Sequence, residues 1–193
     1  MLLRELAFIT QGLATTGKGA GARPGEWCLK VVESGDIEAD AFRLDGLRTI
    51  DVEQNARTEK HLLAPYDVLV TARSQAVKMA LVPPKVSRTV AASTLLVVRT
   101  MVPEAGIPHY LWYYLTSRRG RAAVEARVSL GATIPSLSAA ALGAIAIPLV
   151  PDRELDLLAG FIDASEAAYA ASVEAARLRR ETLRDAIVDA VPD

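Results

Sequence analysis

The chain has 193 residues and a formal net charge of −1, with 51% hydrophobic and 23% charged residues. This length suits one domain with a sizeable core plus an appendage, and the composition excludes a disordered or fibrous protein. No apolar run approaches the roughly 20 residues that span a bilayer, and the N-terminus lacks the features of a signal peptide. Cys28 is the only cysteine, which excludes an internal disulfide. We therefore expect a cytoplasmic protein with no membrane partner.

The charge is unevenly distributed along the chain. Residues 152–193 contain 10 acidic and five basic side chains, which leaves residues 1–151 with a net charge of +4. Within that part, residues 85–127 hold seven basic groups against two acidic ones. A locally basic surface is compatible with DNA binding, although a run of charges also commonly does no more than solvate a face.

Short runs rich in Val, Ile and Leu alternate with loops across residues 1–151. Each run is bounded by Gly, Pro, Ser or Asp, as is typical of β-strands. The predicted strands span residues 27–32, 48–52, 68–73, 78–82, 94–99 and 144–149. A helix is predicted from Pro108, which suits a first helical position, to Arg127.

The composition changes after Pro151. Residues 152–190 contain no proline, one glycine and many alanines, which predicts a helix of about 38 residues, or roughly 57 Å, with Asp152 as its N-cap. Such a helix overhangs a domain of about 150 residues, so we expect a partner helix. The predicted dimerisation stripe, at a spacing of three and four residues, comprises Leu155, Leu158, Ile162, Tyr169, Ala176 and Leu183.

The residue types that catalysis needs are not assembled in the sequence. Two histidines, His61 and His109, and one cysteine cannot build a Cys/His zinc site, and there is no nucleophile elbow, adenosylmethionine-type glycine motif or nuclease cluster. Asp36, Glu38 and Asp40 alternate as on one face of a strand and could hold a divalent ion, but solvated loop acids explain them better. We predict no catalytic residue, no metal site and no cofactor in this chain.

Residues 12–19, Gly-Leu-Ala-Thr-Thr-Gly-Lys-Gly, almost match a phosphate-binding loop. That loop needs Ser or Thr after the lysine to hold magnesium, followed by a helix whose amides face the phosphates. Gly19 takes the hydroxyl position, and the Gly- and Pro-containing residues 20–25 cannot form that helix. A nucleotide-binding enzyme is therefore a weak alternative, and a loop that orders on a phosphate backbone fits better.

Several segments, in order, resemble the DNA-specificity (S) subunits of type I restriction–modification systems. The strongest match is residues 131–138, Gly-Ala-Thr-Ile-Pro-Ser-Leu-Ser, followed by Ile-Ala-Ile-Pro-Leu-Val-Pro at 145–151. The other matching segments are residues 3–12, 34–37, 63–73, 92–99 and 110–117. Departures include Tyr66 where glycine is usual, and Ser74 and Gln75 in place of a glycine-containing turn.

The resemblance implies an α/β (α+β) fold with a mixed, twisted β-sheet. It assigns residues 1–151 to a target-recognition domain and residues 152–193 to a long helix that pairs as a coiled coil. Members of the family usually contain two such domains, so this chain resembles a half-subunit that forms a homodimer or joins another half-subunit. A two-fold dimer would read a symmetric, interrupted target on double-stranded DNA.

The same resemblance implies a non-catalytic subunit that docks a DNA methyltransferase subunit, which supplies adenosylmethionine. It leaves open whether a nuclease or translocase subunit joins the complex. A protein-interaction adaptor that keeps the fold without reading DNA is the alternative. The predicted DNA-binding residues lie in loops and on the basic segment, where Arg suits guanine, Gln suits adenine and cations suit phosphates. They are Thr15, Thr16, Lys18, Arg73, Gln75, Lys78, Arg88, Arg118, Arg119, Arg121 and Thr133.

Overall fold

A computed structural model describes residues 1–14, 27–102, 106–130, 134–148 and 150–190. The strands are β1 (Ala7–Gln11), β2 (Cys28–Val32), β3 (Arg48–Asp51), β4 (Val68–Thr71), β5 (Met79–Leu81), β6 (Thr89–Ala91) and β7 (Leu95–Thr100). The helices are α1 (Leu3–Leu6), α2 (Ala56–Glu59), α3 (Gly106–Thr116), α4 (Arg118–Glu125), α5 (Ala139–Gly143) and α6 (Asp152–Asp189). None of the helices in these ranges has the length and apolarity needed to cross a bilayer.

The strands form two sheets in place of one mixed sheet. A four-stranded antiparallel sheet has the order β1-β7-β4-β5, and a three-stranded sheet has the order β3-β2-β6. The smaller sheet is mixed, because β2 pairs with β3 antiparallel and with β6 parallel. The predicted combination of mixed α/β content, paired strands and a long C-terminal helix is confirmed.

The core lies on both faces of the four-stranded sheet. Val68 and Val70 of β4 pack towards the helices, whereas Leu69 between them packs towards the smaller sheet. All four residues of β4 are buried, which explains why this strand reads as an unbroken apolar run. The far face of the smaller sheet carries a third cluster around Leu29 and Val90. The molecule is therefore layered, with helices over the larger sheet and the smaller sheet beneath it.

Three features differ from the sequence prediction. The predicted strand at residues 144–149 is a single bridge between Leu2 and Ala146, since Pro148 cannot donate to a ladder. The predicted helix from Pro108 is two helices that begin earlier, at Gly106, because a proline in the first turn sacrifices no helical hydrogen bond. The break falls at Ser117, whose Oγ accepts a hydrogen bond from Gly120 N at 3.2 Å and caps α4.

The helix α6 is confirmed with its predicted length of 38 residues. It begins at Asp152 with Pro151 at the N-cap position, one residue before the predicted cap. Its first third packs against α3, where Leu155 and Ile162 are buried. The two helices approach closely because Gly106 has no side chain, and a Cβ there would lie 2.8 Å from Leu155 Cβ. After Glu166 the helix is almost entirely exposed, so it overhangs the domain as expected.

Candidate nucleic-acid interface

One end of the two sheets gathers turns that are distant in sequence. Gln11 lies opposite Leu96 and Thr71 opposite Leu95, so β1 and β4 end where β7 begins. The parallel strands β2 and β6 end at the same place, where Ala92 N donates to Val32 O at 2.9 Å. We call this surface the loop end. It comprises residues 11–14, 33–36, 72–78, 92–94, 129–130 and 134–136.

Main-chain hydrogen bonds hold the centre of the loop end. Ala72 N and Arg73 N both donate to Thr94 O, at 2.7 and 3.3 Å. On the other side Leu137 N donates to Ala72 O at 2.8 Å, and Arg73 forms a β-bridge with Ser136. The backbone around Arg73 is thus tied to two neighbouring loops, which gives its side chain a defined starting point.

A second set of bonds ties the outer loops to this centre. Ser129 and Ser136 exchange N–H to O bonds of 2.8 and 3.1 Å, and Ser136 is also bridged to Arg73. Gln11 Nε2 donates to Ser93 O at 2.8 Å across the exits of β1 and β6. The sequence did not indicate Gln11, Ser93, Ser129 or Ser136 as functional residues, because each is a single polar residue that belongs to no recognisable motif.

Two of the predicted base-reading residues meet at this surface. Arg73 and Gln75 are both exposed on the turn between β4 and β5. Lys78 is on the same turn, but it is half-buried and its Nζ donates to Ser34 O at 3.2 Å. The structure therefore gives Arg73 and Gln75 the exposure that base recognition requires, and gives Lys78 a role in joining two loops.

The structure explains why position 12 is a glycine, and the explanation does not involve phosphate binding. A Cβ at this position would lie 2.2 Å from Ala92 O, so only glycine lets the exit of β1 pass the β6–β7 turn. Leu13 N then donates to Ala91 O at 2.7 Å. The predicted contacts Thr15, Thr16 and Lys18, which follow this exit, lie outside the described residues, as does Thr133.

The basic residues of α4 have different surroundings. Arg118 and Arg119 are exposed. Arg121 is half-buried, donates to Thr116 O at 2.9 Å and forms an ion pair with Asp40. A longer bond of 3.4 Å from Arg121 to Val77 O attaches α4 to the loop end. These protein partners hold the Arg121 side chain in place, and the predicted phosphate contacts of Arg118, Arg119 and Arg121 stay predictions.

Arg88 lies away from the other candidates. It precedes β6, whereas the loop end follows β6, so the length of that strand and its parallel neighbour β2 separates them. Arg88 is exposed, and its main-chain oxygen accepts from Lys30 N at 2.8 Å. Lys30 and Lys85 are basic neighbours of Arg88 that sequence reasoning did not select.

The loop end carries both signs of charge. Glu33 and Asp36 are exposed there, and Glu33 forms an ion pair of 2.7 Å with Arg48. On the opposite side, burial and then the positive charges of Lys60 and Arg57 lower the pKa of His61, while a bond to the backbone of Gln11 opposes them. Basic side chains therefore lie near His61 at the exit of β1, and carboxylates border the exit of β2.

The described residues contain no group of three or more His, Cys, Asp or Glu side chains that could hold a metal ion. The alternating acids are separated by their contacts, since Asp36 accepts from Glu33 N at 2.7 Å and Asp40 pairs with Arg121. His109 is buried, and its Nε2 lies 2.9 Å from Asp163 Oδ1 on α6. The polar groups of the loop end are therefore hydrogen-bond donors and acceptors, which are suited to binding a ligand by hydrogen bonds.

The predicted dimerisation stripe on α6 divides into two parts. Leu155 and Ile162 are buried within the chain, and Leu158 packs against the cluster that contains Ile162, so this part contacts its own domain; its predicted role in dimerisation stays a prediction. Tyr169 and Leu183 are 58% and 63% exposed, and Ala176 is also exposed. Val173 and Ile187, at 51% and 66%, extend this exposed face at helical spacing.

Comparisons with known proteins agree with this architecture. No family model and no curated protein sequence matches the chain. Among solved structures, a chain of a type I restriction–modification (R-M) system matches with a TM-score of 0.66 and 19% identity, over 98% of this chain and 44% of that chain. The type I R-M S subunit from M. genitalium matches with a TM-score of 0.57 and 15% identity, over 94% of this chain and 42% of that one.

The HsdS subunit from Thermoanaerobacter tengcongensis matches with a TM-score of 0.53 and 18% identity, over 98% of this chain and 43% of that chain. The chain therefore spans less than half the length of each of these solved chains. The fold that the sequence resemblance implied is confirmed along nearly the whole chain. This protein has the fold of the S subunits of type I restriction–modification systems.

Proposed function

We propose that the chain is a non-catalytic subunit that recognises a DNA sequence within a type I-like restriction–modification complex. The observation that carries the proposal is the loop end, where Arg73 and Gln75 are exposed on a turn whose main chain is held by Thr94 and Ser136. A fixed backbone with an exposed Arg and Gln favours base recognition, since these side chains bind guanine and adenine with two hydrogen bonds each.

The backbone contacts of the proposed interface come from Arg118 and Arg119. Both are exposed on α4, which Arg121 fastens to the β4–β5 turn through Val77 O. Cations at the side of a reading surface position a protein on the duplex without reading its sequence. The proposal thus divides the basic residues into a base-reading pair and a phosphate-binding pair.

The assembly is the second part of the proposal. The exposed face formed by Tyr169, Val173, Ala176, Leu183 and Ile187 suits pairing with a second copy of α6, which would place two recognition domains at a fixed separation. A methyltransferase subunit that binds adenosylmethionine would dock on the paired helices.

The first experiment captures the tagged chain from its native cells and identifies its partners by mass spectrometry. We expect a DNA methyltransferase in stoichiometric amount. The captured complex is then used to select bound duplexes from a random library. Arg73→Ala and Gln75→Ala should each change the selected sequence at one position, with about 1–3 kcal/mol less discrimination there. Arg119→Ala should weaken binding to all sequences alike and reduce the salt slope by about 0.9.

Arg43→Ala is the matched control, because Arg43 is exposed and lies outside the loop end, so its replacement should leave the selected sequence unchanged. Unchanged selection by both the Arg73 and Gln75 variants would contradict the assignment of the reading surface. A second candidate function, a protein-interaction adaptor, is favoured by the exposed Glu33 and Asp36 at the loop end. Failure of the captured complex to bind any duplex at low salt would support the adaptor.

A further inference from the structure

A basic pocket lies at the end of the smaller sheet opposite the loop end. It opens where β2 and β6 begin, beside Cys28 and Thr89, and has a volume of about 340 Å³. Three cations line it, Lys30, Lys85 and Arg88. Three hydroxyl side chains complete the polar lining, Thr49, Ser87 and Thr89.

No carboxylate lines this pocket in the part of the chain that the structure describes. Asp51, which lies opposite Cys28 in the β2–β3 register, is not among the lining residues. Among the described ion pairs, none involves Lys85 or Arg88, and both residues are exposed. Their charges are therefore not neutralised within the described chain, in contrast to those of Arg48, Arg99 and Arg121.

The main chain sets the position of two of the cations. Lys30 Nζ donates to Leu44 O at 3.1 Å, which holds this side chain at the pocket wall. Arg88 has a φ of 47°, in the left-handed region of backbone conformation that residues other than Gly and Asn rarely adopt. This conformation persists because Arg88 O accepts from Lys30 N at 2.8 Å. The two basic residues are thus coupled through the backbone, at the edge where β6 starts.

The chemistry of the pocket fits a phosphodiester. A phosphate carries one negative charge and several acceptor oxygens, and cations with neighbouring hydroxyls supply the matching charge and donors. From Arg88 at this end to Ala92 at the loop end is four residues across β6, or about 13 Å of extended chain at 3.3 Å per residue. A duplex along β6 would advance by about four base pairs over this distance, at 3.4 Å per step.

We propose that Lys30, Lys85 and Arg88 bind the DNA sugar–phosphate backbone as a second contact, about four base pairs from the contact made by the loop end. This inference rests on the proposed DNA-recognition function and extends it. One domain then holds the duplex at two separate places. The loop end reads the bases, and the basic pocket adds affinity that does not depend on sequence.

The test compares two double variants of the captured complex. Lys85→Gln with Arg88→Asn removes both charges, and Asn tolerates the left-handed backbone at position 88. Lys85→Arg with Arg88→Lys keeps both charges and serves as the matched control. Binding to the selected duplex is measured from 50 to 200 mM salt, together with a hydroxyl-radical footprint.

We expect the neutral variant to lower the magnitude of the salt slope by about 1.8, which is 0.9 for each lost phosphate contact, while the selected sequence stays the same. Its footprint should lose protection about four base pairs from the protection that the loop end provides. The control should retain both. An unchanged slope and footprint in the neutral variant, with normal binding by the unmodified complex, would overturn this inference alone. Absence of binding by the unmodified complex would overturn the proposed function as well.

Discussion

Shortening Ile162 to alanine should destabilise the attachment of α6 to its own domain. Ile162 has no exposed surface and packs in the cluster that also contains Leu111 and Leu115 of α3. Removing this much of a buried aliphatic side chain costs about 2–5 kcal/mol, since the lost contacts leave a cavity. For a chain of this size each kcal/mol corresponds to about 2–4 °C, so the melting temperature should fall by about 4–20 °C.

Leu183→Ala is the matched comparison on the same helix. Leu183 is 63% exposed and lies beyond the domain, so its loss should change the stability of an unpaired chain by no more than about 0.5 kcal/mol. In a paired helix the same leucine would be buried, and burial of a leucine contributes about 1.5–3 kcal/mol. Leu183→Ala should therefore weaken self-association at least about tenfold.

The two effects are separated by melting curves and sedimentation equilibrium over a range of protein concentrations. Ile162→Ala should lower the melting temperature at every concentration, whereas Leu183→Ala should lower it only where the unmodified chain is dimeric. Equal losses by both variants in a dilute, monomeric sample would refute the division of the stripe into an internal part and an exposed part.

Two further predictions concern the stability of the domain. Asp67 is 1% exposed, and its carboxylate accepts two hydrogen bonds from Arg99, at 2.8 and 2.6 Å, and one from Ala64 N at 2.8 Å. The hydrogen bond to Asp67 raises the pKa of Arg99. Asp67→Asn should lower the free energy of unfolding in urea by about 1.5–3 kcal/mol, whereas Arg48→Ala, from an exposed ion pair, should cost no more than about 1 kcal/mol. Similar losses in the two variants would contradict this ranking. The lowered pKa of His61 in the folded chain predicts that stability depends on pH. Between this pKa and the value of about 6.5 in the unfolded chain, the unfolded chain binds more protons than the folded chain. Stability should therefore fall as the pH falls through that window. His61→Gln should abolish this part of the pH dependence of the unfolding free energy in urea titrations. If the pH dependence survives the substitution, another titratable group causes it.

Features set by local patterns were predicted from the sequence. The absence of proline and the abundance of alanine in residues 152–190 predicted α6 to within one residue at its start. Val-rich runs bounded by turn residues predicted β2, β3, β4, β5 and β7. The strand β6 and the short helices α2 and α5 were not predicted, because elements of three to five residues carry little periodicity; β5, equally short, was predicted only within the longer run 78–82.

The sequence alone therefore determined the long helix, most of the strands and the position of Gln75 on a turn, because each depends on residues within a few positions of one another. Only the tertiary structure decided which of the exposed candidates lie together. Long-range antiparallel register brings the turn of Arg73 against Thr94 and Ser136, while the length of β6 separates Arg88 from them. Packing of α3 on α6 buries Ile162 and leaves Leu183 exposed, although both have the same helical spacing. A one-dimensional pattern shows that a face is apolar, and the three-dimensional packing determines which neighbour covers it.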